Sequence, residues 1–241
     1  YDEQRQLFII TVKRRGPYGR AVYLTTSKDF ATWSEPEFIF SADHQDQENG
    51  FERIARFFDD PAYVRPHANR PEEYKTDVYS LSVFPYEGQY IGMPVLFHQS
   101  GMRPPLYENA DGRKSVELVC SRDLRKWERV AERKPFLELS PLGDGSSYDT
   151  GELVPANRPI VCNDELWFYY TGINNYAFIT SCGVPGYDDY RADCGAICLA
   201  VLRGDGFVSL YSGVQEGSVL TDLFRLEGDS LIVNGDASRG E

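Results

Sequence analysis

A segment that occurs twice decides the fold of this chain: TTSKDFATWSEPEFIF at 25–40 and VCSRDLRKWERVAERKPFL at 119–137. Each copy predicts a strand, then Ser-(Lys/Arg)-Asp-(Phe/Leu)-x-x-Trp, then a second strand. The two serines lie 94 residues apart. A repeat of several tens of residues predicts small β-sheets that bury their faces by stacking on their neighbours, as in propellers and arrays.

The repeated motif has a structural explanation in the chemistry of turns. The Ser and Asp side chains of each copy are expected to accept backbone N–H bonds and close a tight hairpin, while the Trp packs against the adjacent sheet. The motif resembles the Asp box of sialidase-type propellers, although it is one residue shorter, and such boxes lie on outer hairpins. A structural role is therefore expected for Ser27, Asp29, Trp33, Ser121, Asp123 and Trp127.

The charge of the chain argues against nucleic acid as a ligand. The net charge is −12 and the acids are scattered along the chain, whereas phosphate neutralisation needs clustered Lys and Arg. The run Lys13-Arg14-Arg15 is either a strand end or the source of an arginine that faces an anionic or hydroxyl-rich substrate. No membrane span is expected, because no apolar run approaches 18 residues. No signal peptide is visible at Tyr1, so either it was removed or the upstream sequence is absent. An extracellular or periplasmic location is the expectation.

The cysteines and histidines do not indicate a metal or cofactor site. The five cysteines form no Cys-x-x-Cys pair, and the three histidines have no metal-like spacing, so neither a zinc site nor another cofactor is expected. Cys182 and Cys194 bracket the loop GVPGYDDYRAD, and they are positioned in the sequence to form a bridge in an oxidising compartment.

Strand and turn signals divide the chain into three β-units and a tail. The first unit covers 6–40 and is followed by a polar insertion at 41–76 with one short helix around 50–57. The second unit starts at Thr76 and predicts a four-stranded antiparallel meander with a hairpin at Pro-Tyr-Glu-Gly. The third unit opens near 146 and turns at Asn163-Asp164. The tail at 217–241 predicts the start of another β domain.

Asp77 and Asp149 occupy equivalent places in the second and third units, since each precedes a strand pair. The innermost strand of each propeller blade starts at one rim of the central channel. Acids at these positions are therefore expected to converge from successive blades on one shared cavity, with Glu152 close by. The alternative is that each Asp hydrogen-bonds the backbone where its blade begins.

Four stretches together carry a family resemblance: TDVYSLSVFPYEGQYIG, VELVCSRDLRKWERV, YDTGELV and AVLRGDGFVSL. They resemble bacterial proteins related to the five-bladed β-propeller glycoside hydrolases of the fructosidase and arabinanase type. The resemblance implies an all-β propeller at 1–216 that lacks one or two N-terminal blades, followed by the beginning of a β-sandwich at 217–241. It also implies three catalytic acids, the first of which would lie upstream of Tyr1.

Glycosidic hydrolysis needs a proton-donating acid and an ionised carboxylate. The candidate catalytic residues are Asp149, Asp77 and Glu152. Aromatic rings form platforms for sugar faces, and other polar side chains bind hydroxyl groups. The candidate substrate-binding residues are Tyr79, His98, Tyr169, Arg15 and Asn174, with Tyr170 and Trp167 as further aromatic candidates. For Trp167 the alternative is inter-blade core, and for His98 a structural histidine.

Two functions remain open at this point. One is a glycoside hydrolase or similar carbohydrate-active enzyme that takes an oligosaccharide or polysaccharide. The other is a non-catalytic propeller that binds glycans or proteins, since propellers host unrelated functions. The number of carboxylates around one pocket distinguishes the two.

Overall fold

The computed structural model describes residues 1–102, 110–174, 194–226, 228–231, 233 and 235. It divides into two units, 1–208 and 209–241. The described residues of the second unit contain neither helix nor strand, so the β-sandwich expected at 217–241 stays a prediction. Among the described residues, no helix has the length and apolar character that crossing a membrane requires.

In the unit at 1–208, most of the regular secondary structure consists of antiparallel strands, which form three sheets. Sheet 1 has the order β1-β2-β3, sheet 2 consists of β4 to β8, and sheet 3 of β9 to β12. None of the three closes on itself within the described residues, and the five-bladed propeller stays a prediction. The elements are β1 Phe8–Gly16, β2 Gly19–Ser27, β3 Glu37–Ser41, α1 His44–Asp59, β4 Lys75–Tyr86, β5 Gln89–Met102, β6 Ala110–Val116, β7 Val119–Ser121, β8 Glu128–Arg129, β9 Glu152–Pro155, β10 Ile160–Cys162, β11 Glu165–Ile173 and β12 Gly195–Arg203.

The hairpin turns follow the turn chemistry of the sequence. Tyr86 pairs with Gln89 across Glu87 and Gly88, which both have positive φ, the combination that a two-residue hairpin needs. Asn163 has a φ of 57° between the paired ends of β10 and β11. Both predicted hairpins are confirmed.

The two Ser-x-Asp turns have the same hydrogen bonds, which confirms the predicted repeat. In each turn the Ser hydroxyl accepts from the backbone N–H groups two and three residues later, and one Asp oxygen accepts two further backbone N–H groups. The Trp indole donates to the carbonyl three residues before it. The first turn joins β2 to β3 and the second joins β7 to β8.

The two tryptophans differ in what they cover. Trp127 packs on the bare backbone of Gly92, where a Cβ would lie 2.7 Å from the ring. The strand registers pair Tyr90 with Ser121 and Phe8 with Ser27, so Ile10 is the counterpart of Gly92. Ile10 has a side chain where Gly92 has none, and Trp33 lies edge-on to Phe30.

Sheet 2 is buried on both faces, and this holds the three sheets together in chain order. One face shares a core with sheet 1, and the other shares a second core with sheet 3. The first core includes Val22, Leu24, Ile39, Phe40, Val78, Leu81, Tyr90, Leu96 and Val119. The second core includes Phe84, Ile91, Met93, Val95, Val116, Leu118, Leu153, Leu166 and Phe168.

The insertion contains a helix, as expected, but the helix is twice as long as the predicted 50–57. It begins after Asp43, whose side chain accepts from the N–H of Asp46, while Asp46 accepts from the N–H of Asp43. This capping box is a start signal that the sequence prediction overlooked. Gly50 therefore lies inside the helix, at its contact with sheet 2, where a Cβ would overlap the Thr76 hydroxyl.

A buried polar network anchors α1 to sheet 2. Arg53 donates to Glu117 Oε1 at 3.0 Å and to Ser115 Oγ at 3.2 Å, and it contacts His98 Nε2 at 3.3 Å. His98 Nδ1 meets the Thr76 hydroxyl at 3.0 Å. Burial, and then the charge of Arg53, lower the pKa of His98 to about 3. The imidazole is therefore neutral in the folded protein at ordinary pH.

The packing difference predicts unequal losses when each tryptophan is truncated. Trp127→Ala should lower the free energy of unfolding by about 3 kcal/mol, because it exposes core and leaves a cavity. Trp33→Ala should lower it by about 1 kcal/mol or less. Urea unfolding followed by circular dichroism measures both, and equal losses would contradict the different packing of the two turns.

The buried neutral His98 predicts a specific loss of stability in mild acid. Its folded pKa lies below the unfolded value of 6.5, so as pH falls from 6.5 only the unfolded chain takes up this proton. Between pH 7 and pH 5 this lowers the free energy of unfolding by about 2 kcal/mol. His98→Gln should remove that part of the loss, whereas His44→Gln, on the exposed start of α1, should keep it.

Urea midpoints at the two pH values give the comparison. The prediction is wrong if His98→Gln and His44→Gln show the same pH dependence. If His98→Gln does not fold, the imidazole NMR signals of the unaltered chain at pH 5 decide, since a protonated His98 would contradict its folded pKa.

Candidate functional site

Asp77 is the best-defined candidate acid. It lies near the start of β4 with 2% of its surface exposed. Its Oδ2 accepts from the backbone N–H of Arg20 at 3.1 Å, from Arg20 Nε at 2.9 Å and from Gln99 Nε2 at 2.9 Å. Three donors, one of them a guanidinium, hold this oxygen in a fixed position.

The other oxygen of Asp77 has no such donors. Oδ1 is buried and has no hydrogen-bond partner among the described residues. Buried carboxylate oxygens are normally paired, and an unpaired one calls for an explanation. A ligand hydroxyl that donates to Oδ1 would provide one.

Tyr79 lies two residues farther along, where β4 departs from regular pairing. Val78 pairs with Leu96 and Ser80 with Val95, so Tyr79 is the extra residue of a bulge. Bulges re-aim side chains and are frequent beside functional sites. The ring centroid lies 3.9 Å from Lys13 Nζ, 3.8 Å from Lys114 Nζ and 5.4 Å from Arg20 Cζ.

Lys114 and Glu152 form a buried pair beside this ring. Lys114 lies in β6 and Glu152 opens β9, and both are 5% exposed. The ammonium donates to Glu152 Oε1. Burial, and then the positive charges of Arg20 and Lys13, lower the pKa of Lys114 to about 7. The lowered pKa makes this ammonium a readier proton donor than an ordinary lysine.

These contacts join two of the three predicted acids in one arrangement. Asp77 binds Arg20, Arg20 and Lys114 both lie by Tyr79, and Lys114 binds Glu152. All three sheets contribute to it. We call this group the Tyr79 cluster, and its members are Lys13, Arg20, Asp77, Tyr79, Lys114 and Glu152.

Asp149 has a different partner. It is buried, and its Oδ2 accepts from the Tyr170 hydroxyl at 2.7 Å. Burial, and then the hydrogen bond to Asp149, raise the pKa of Tyr170. Among the described residues, no hydrogen bond or ion pair connects Asp149 to the Tyr79 cluster, although Glu152 is only three residues away. A cavity shared by Asp77 and Asp149 stays a prediction.

Among the described residues, no hydrogen bond, ion pair or ring contact joins the side chains of the remaining predicted binding residues to the Tyr79 cluster, although Arg15 pairs with Arg20 in the β1–β2 register. His98 belongs to the network under α1. Tyr169 lies on the opposite face of β11 from Tyr170, because side chains alternate along a strand. Arg15 is exposed near the end of β1. Asn174 bonds through its backbone, to Cys194 and Thr150. Their roles in binding stay predictions.

The sequence analysis did not predict the basic residues of the Tyr79 cluster as site residues. Lys13 was considered only within a basic run, and Lys114 in DGRKSVELV gave no signal, because every residue of β6 is buried and polar and apolar residues do not alternate there. Arg20 follows Gly19, a glycine with a φ of 112° in a hairpin. Its role depends on β4 approaching that hairpin, which is a tertiary contact.

Metal and disulfide candidates add little to this site. Within the part of the chain that the structure describes, no group of His, Cys, Asp and Glu is arranged to hold a metal ion. Cys182 lies outside the described residues, so the bridge to Cys194 stays a prediction.

Comparison with known proteins gives weak structural similarities only. No family model matches the chain, and no curated protein matches it in sequence. An N-acetylgalactosamine deacetylase from F. plautii, solved with blood group B trisaccharide, is 18% identical over 72% of this chain and 39% of its own, with a TM-score of 0.41. A β-1,2-mannobiose phosphorylase from Listeria innocua is 16% identical over 85% and 40%, with a TM-score of 0.43.

A third structure, described as a glycoside hydrolase, is 14% identical over 87% of this chain and 46% of its own, with a TM-score of 0.43. The chain therefore spans less than half the length of each of these proteins. Similarities of this degree assign neither an activity nor a closed fold to the chain.

Proposed function

We propose that this chain belongs to a carbohydrate-active enzyme that cleaves a glycosidic bond at the Tyr79 cluster. The observation that carries the proposal is Asp77, a buried carboxylate with one oxygen held by three donors and the other unpaired. Glu152 supplies the second carboxylate, as glycoside hydrolysis requires. The sequence resemblance to propeller glycosidases gives the substrate class, an oligosaccharide or polysaccharide.

Asp77 acts in this proposal as the ionised carboxylate. Arg20 and Gln99 donate to Asp77 and keep its carboxylate in one orientation. Little reorganisation of the site is then needed when positive charge develops on the sugar ring. Its unpaired Oδ1 then faces the substrate, as nucleophile or as base for a water molecule. The separation of the two carboxylates in the substrate complex selects between these two routes.

The Lys114–Glu152 pair acts as the proton donor. Lys114 Nζ donates to Glu152 Oε1, and the pKa of Lys114 lies near 7. A proton on this pair can pass to the leaving oxygen through the Glu152 carboxyl and be restored from Lys114. Proton transfer from a positioned group contributes about 10²- to 10⁴-fold to rate.

The pairing of both carboxylates with basic side chains favours a second function. Asp77 and Glu152 each bind a basic side chain, and the Tyr79 ring contacts two ammonium groups. Carboxylates that are held as ion pairs suit the binding of hydroxyl groups without bond cleavage. A glycan-binding module is the alternative proposal.

Substitution of the two acids tests the assignment. On a panel of nitrophenyl glycosides and natural oligosaccharides, Asp77→Asn and Glu152→Gln should each lower turnover at least about 100-fold. Asp123→Asn, in a Ser-x-Asp turn, is the matched control and should keep full activity. Thermal unfolding shows whether each variant is folded.

Two results count against hydrolysis at this site. Unchanged turnover in both folded variants removes Asp77 and Glu152 from the catalytic residues. Binding of a glycan by the unaltered chain without turnover, weakened by Asp77→Asn, supports the binding module instead.

A further inference from the structure

We infer that the Tyr79 cluster recognises a compact oxyanion carried by the substrate, either the carboxylate of a sugar acid or a phosphate. The inference rests on the proposed function and adds a substrate class to it: an acidic glycan, or a glycan cleaved with phosphate. It comes from the basic residues of the site, which neither the turn motifs nor the paired carboxylates explain.

The first support is an excess of positive charge. Asp77 binds Arg20 and Glu152 binds Lys114. Two further ammonium groups, those of Lys13 and Lys75, have no carboxylate within 4 Å among the described residues, yet both lie at this site. Lys13 is over the Tyr79 ring, and Lys75 Nζ borders the backbone of Gly19.

The second support is the bare backbone at Gly19. A Cβ at this position would lie 2.9 Å from Lys75 Nζ and 2.9 Å from Asp77 Oδ2. Any other residue would also be strained, because the φ of Gly19 is 112°. The glycine therefore lets the Lys75 ammonium and the Asp77 carboxylate both lie against the backbone of this hairpin, which places a further cation beside the site.

The third support is the mutual repulsion of the cations. Arg20 and Lys13 lower the pKa of Lys114, after the larger effect of burial, and Arg20 acts on Lys13 in the same way. An anion bound between these groups would relieve the repulsion. The positive charge is also local in a chain whose net charge is −12, so it gives this site an attraction for anions that the net charge of the chain does not provide.

The chemistry of the ligand follows from the geometry. Ammonium groups attract carboxylate and phosphate as point charges, whereas the guanidinium of Arg20 is already committed to Asp77. The unpaired Asp77 Oδ1 accepts from a hydroxyl and repels an anion. A ligand with an oxyanion at one end and hydroxyl groups at the other satisfies both parts of the site.

Calorimetric titration with paired ligands tests the inference. Galacturonate and glucuronate should bind at least about tenfold more tightly than galactose and glucose, as expected for a charge-assisted contact. Lys13→Gln and Lys75→Gln should reduce this preference, while Lys28→Gln, an exposed lysine in the first Ser-x-Asp turn, should not. Inorganic phosphate forms a separate arm with the same variants.

Proton uptake is a second readout in the uronate arm. Lys114 is faced by Glu152, Arg20, Lys13 and Tyr79, and a bound anion would raise its pKa. Binding at pH 7.5 should therefore take up protons, seen as different heats in two buffers of different ionisation enthalpy. Lys13→Gln should lower the affinity without abolishing the uptake, since Lys114 remains.

Each outcome decides the inference. Tighter binding of uronates that depends on Lys13 supports the sugar acid, and binding of phosphate alone with the same dependence supports phosphate. Equal affinity for acidic and neutral sugars, or anion binding unaffected by Lys13→Gln and Lys75→Gln, overturns it. The proposed hydrolysis would survive that result, because it is tested separately through Asp77 and Glu152.

Discussion

The burial of both faces of sheet 2 is the constraint on which the rest of the structure depends. Val78 and Leu81 of β4 face the core shared with sheet 1, although they are three residues apart. Regular alternation would place them on opposite faces. The bulge at Tyr79 restores the match, and it turns Tyr79 itself toward the second core. The packing that joins the sheets therefore also places the ring at the centre of the candidate site.

The same sheet carries two polar networks, and they differ in a way that separates structure from function. Under α1, Arg53 and Arg129 share Glu117, while Asp46 takes Arg129 and Arg133. Every charge there has an opposite partner, and the network fixes the helix on the sheet. At the Tyr79 cluster the pairing is incomplete, because the buried Asp77 Oδ1 has no hydrogen-bond partner among the described residues. An unpaired buried oxygen is destabilising unless a ligand completes its pairing.

Features that depend on neighbouring residues in the chain were predictable from the sequence, and contacts between distant segments were not. The two Ser-x-Asp turns and the hairpins depend on residues close in the chain, and the structure confirms them. The three β-units as blades of a propeller stay a prediction. Asp77 and Glu152 were predicted as catalytic acids because they lie beside strand starts, and this role stays a prediction. The length of helix α1 was underestimated because the Asp43–Asp46 capping box was not recognised. Tyr169 was grouped with Tyr170, although strand alternation places only one of the two beside Asp149.

The basic half of the site shows why tertiary contacts limit such predictions. Lys13, Arg20 and Lys114 come from three strands of two sheets and meet only when the sheets stack. In the sequence each looks like an ordinary solvated charge. Burial then changes the chemistry of Lys114, because removing water from an ammonium group beside two other cations favours its neutral form. The lowered pKa of Lys114 is thus a product of the stacked sheets, because the cations that act on it come from sheet 1 and Lys114 itself lies in sheet 2.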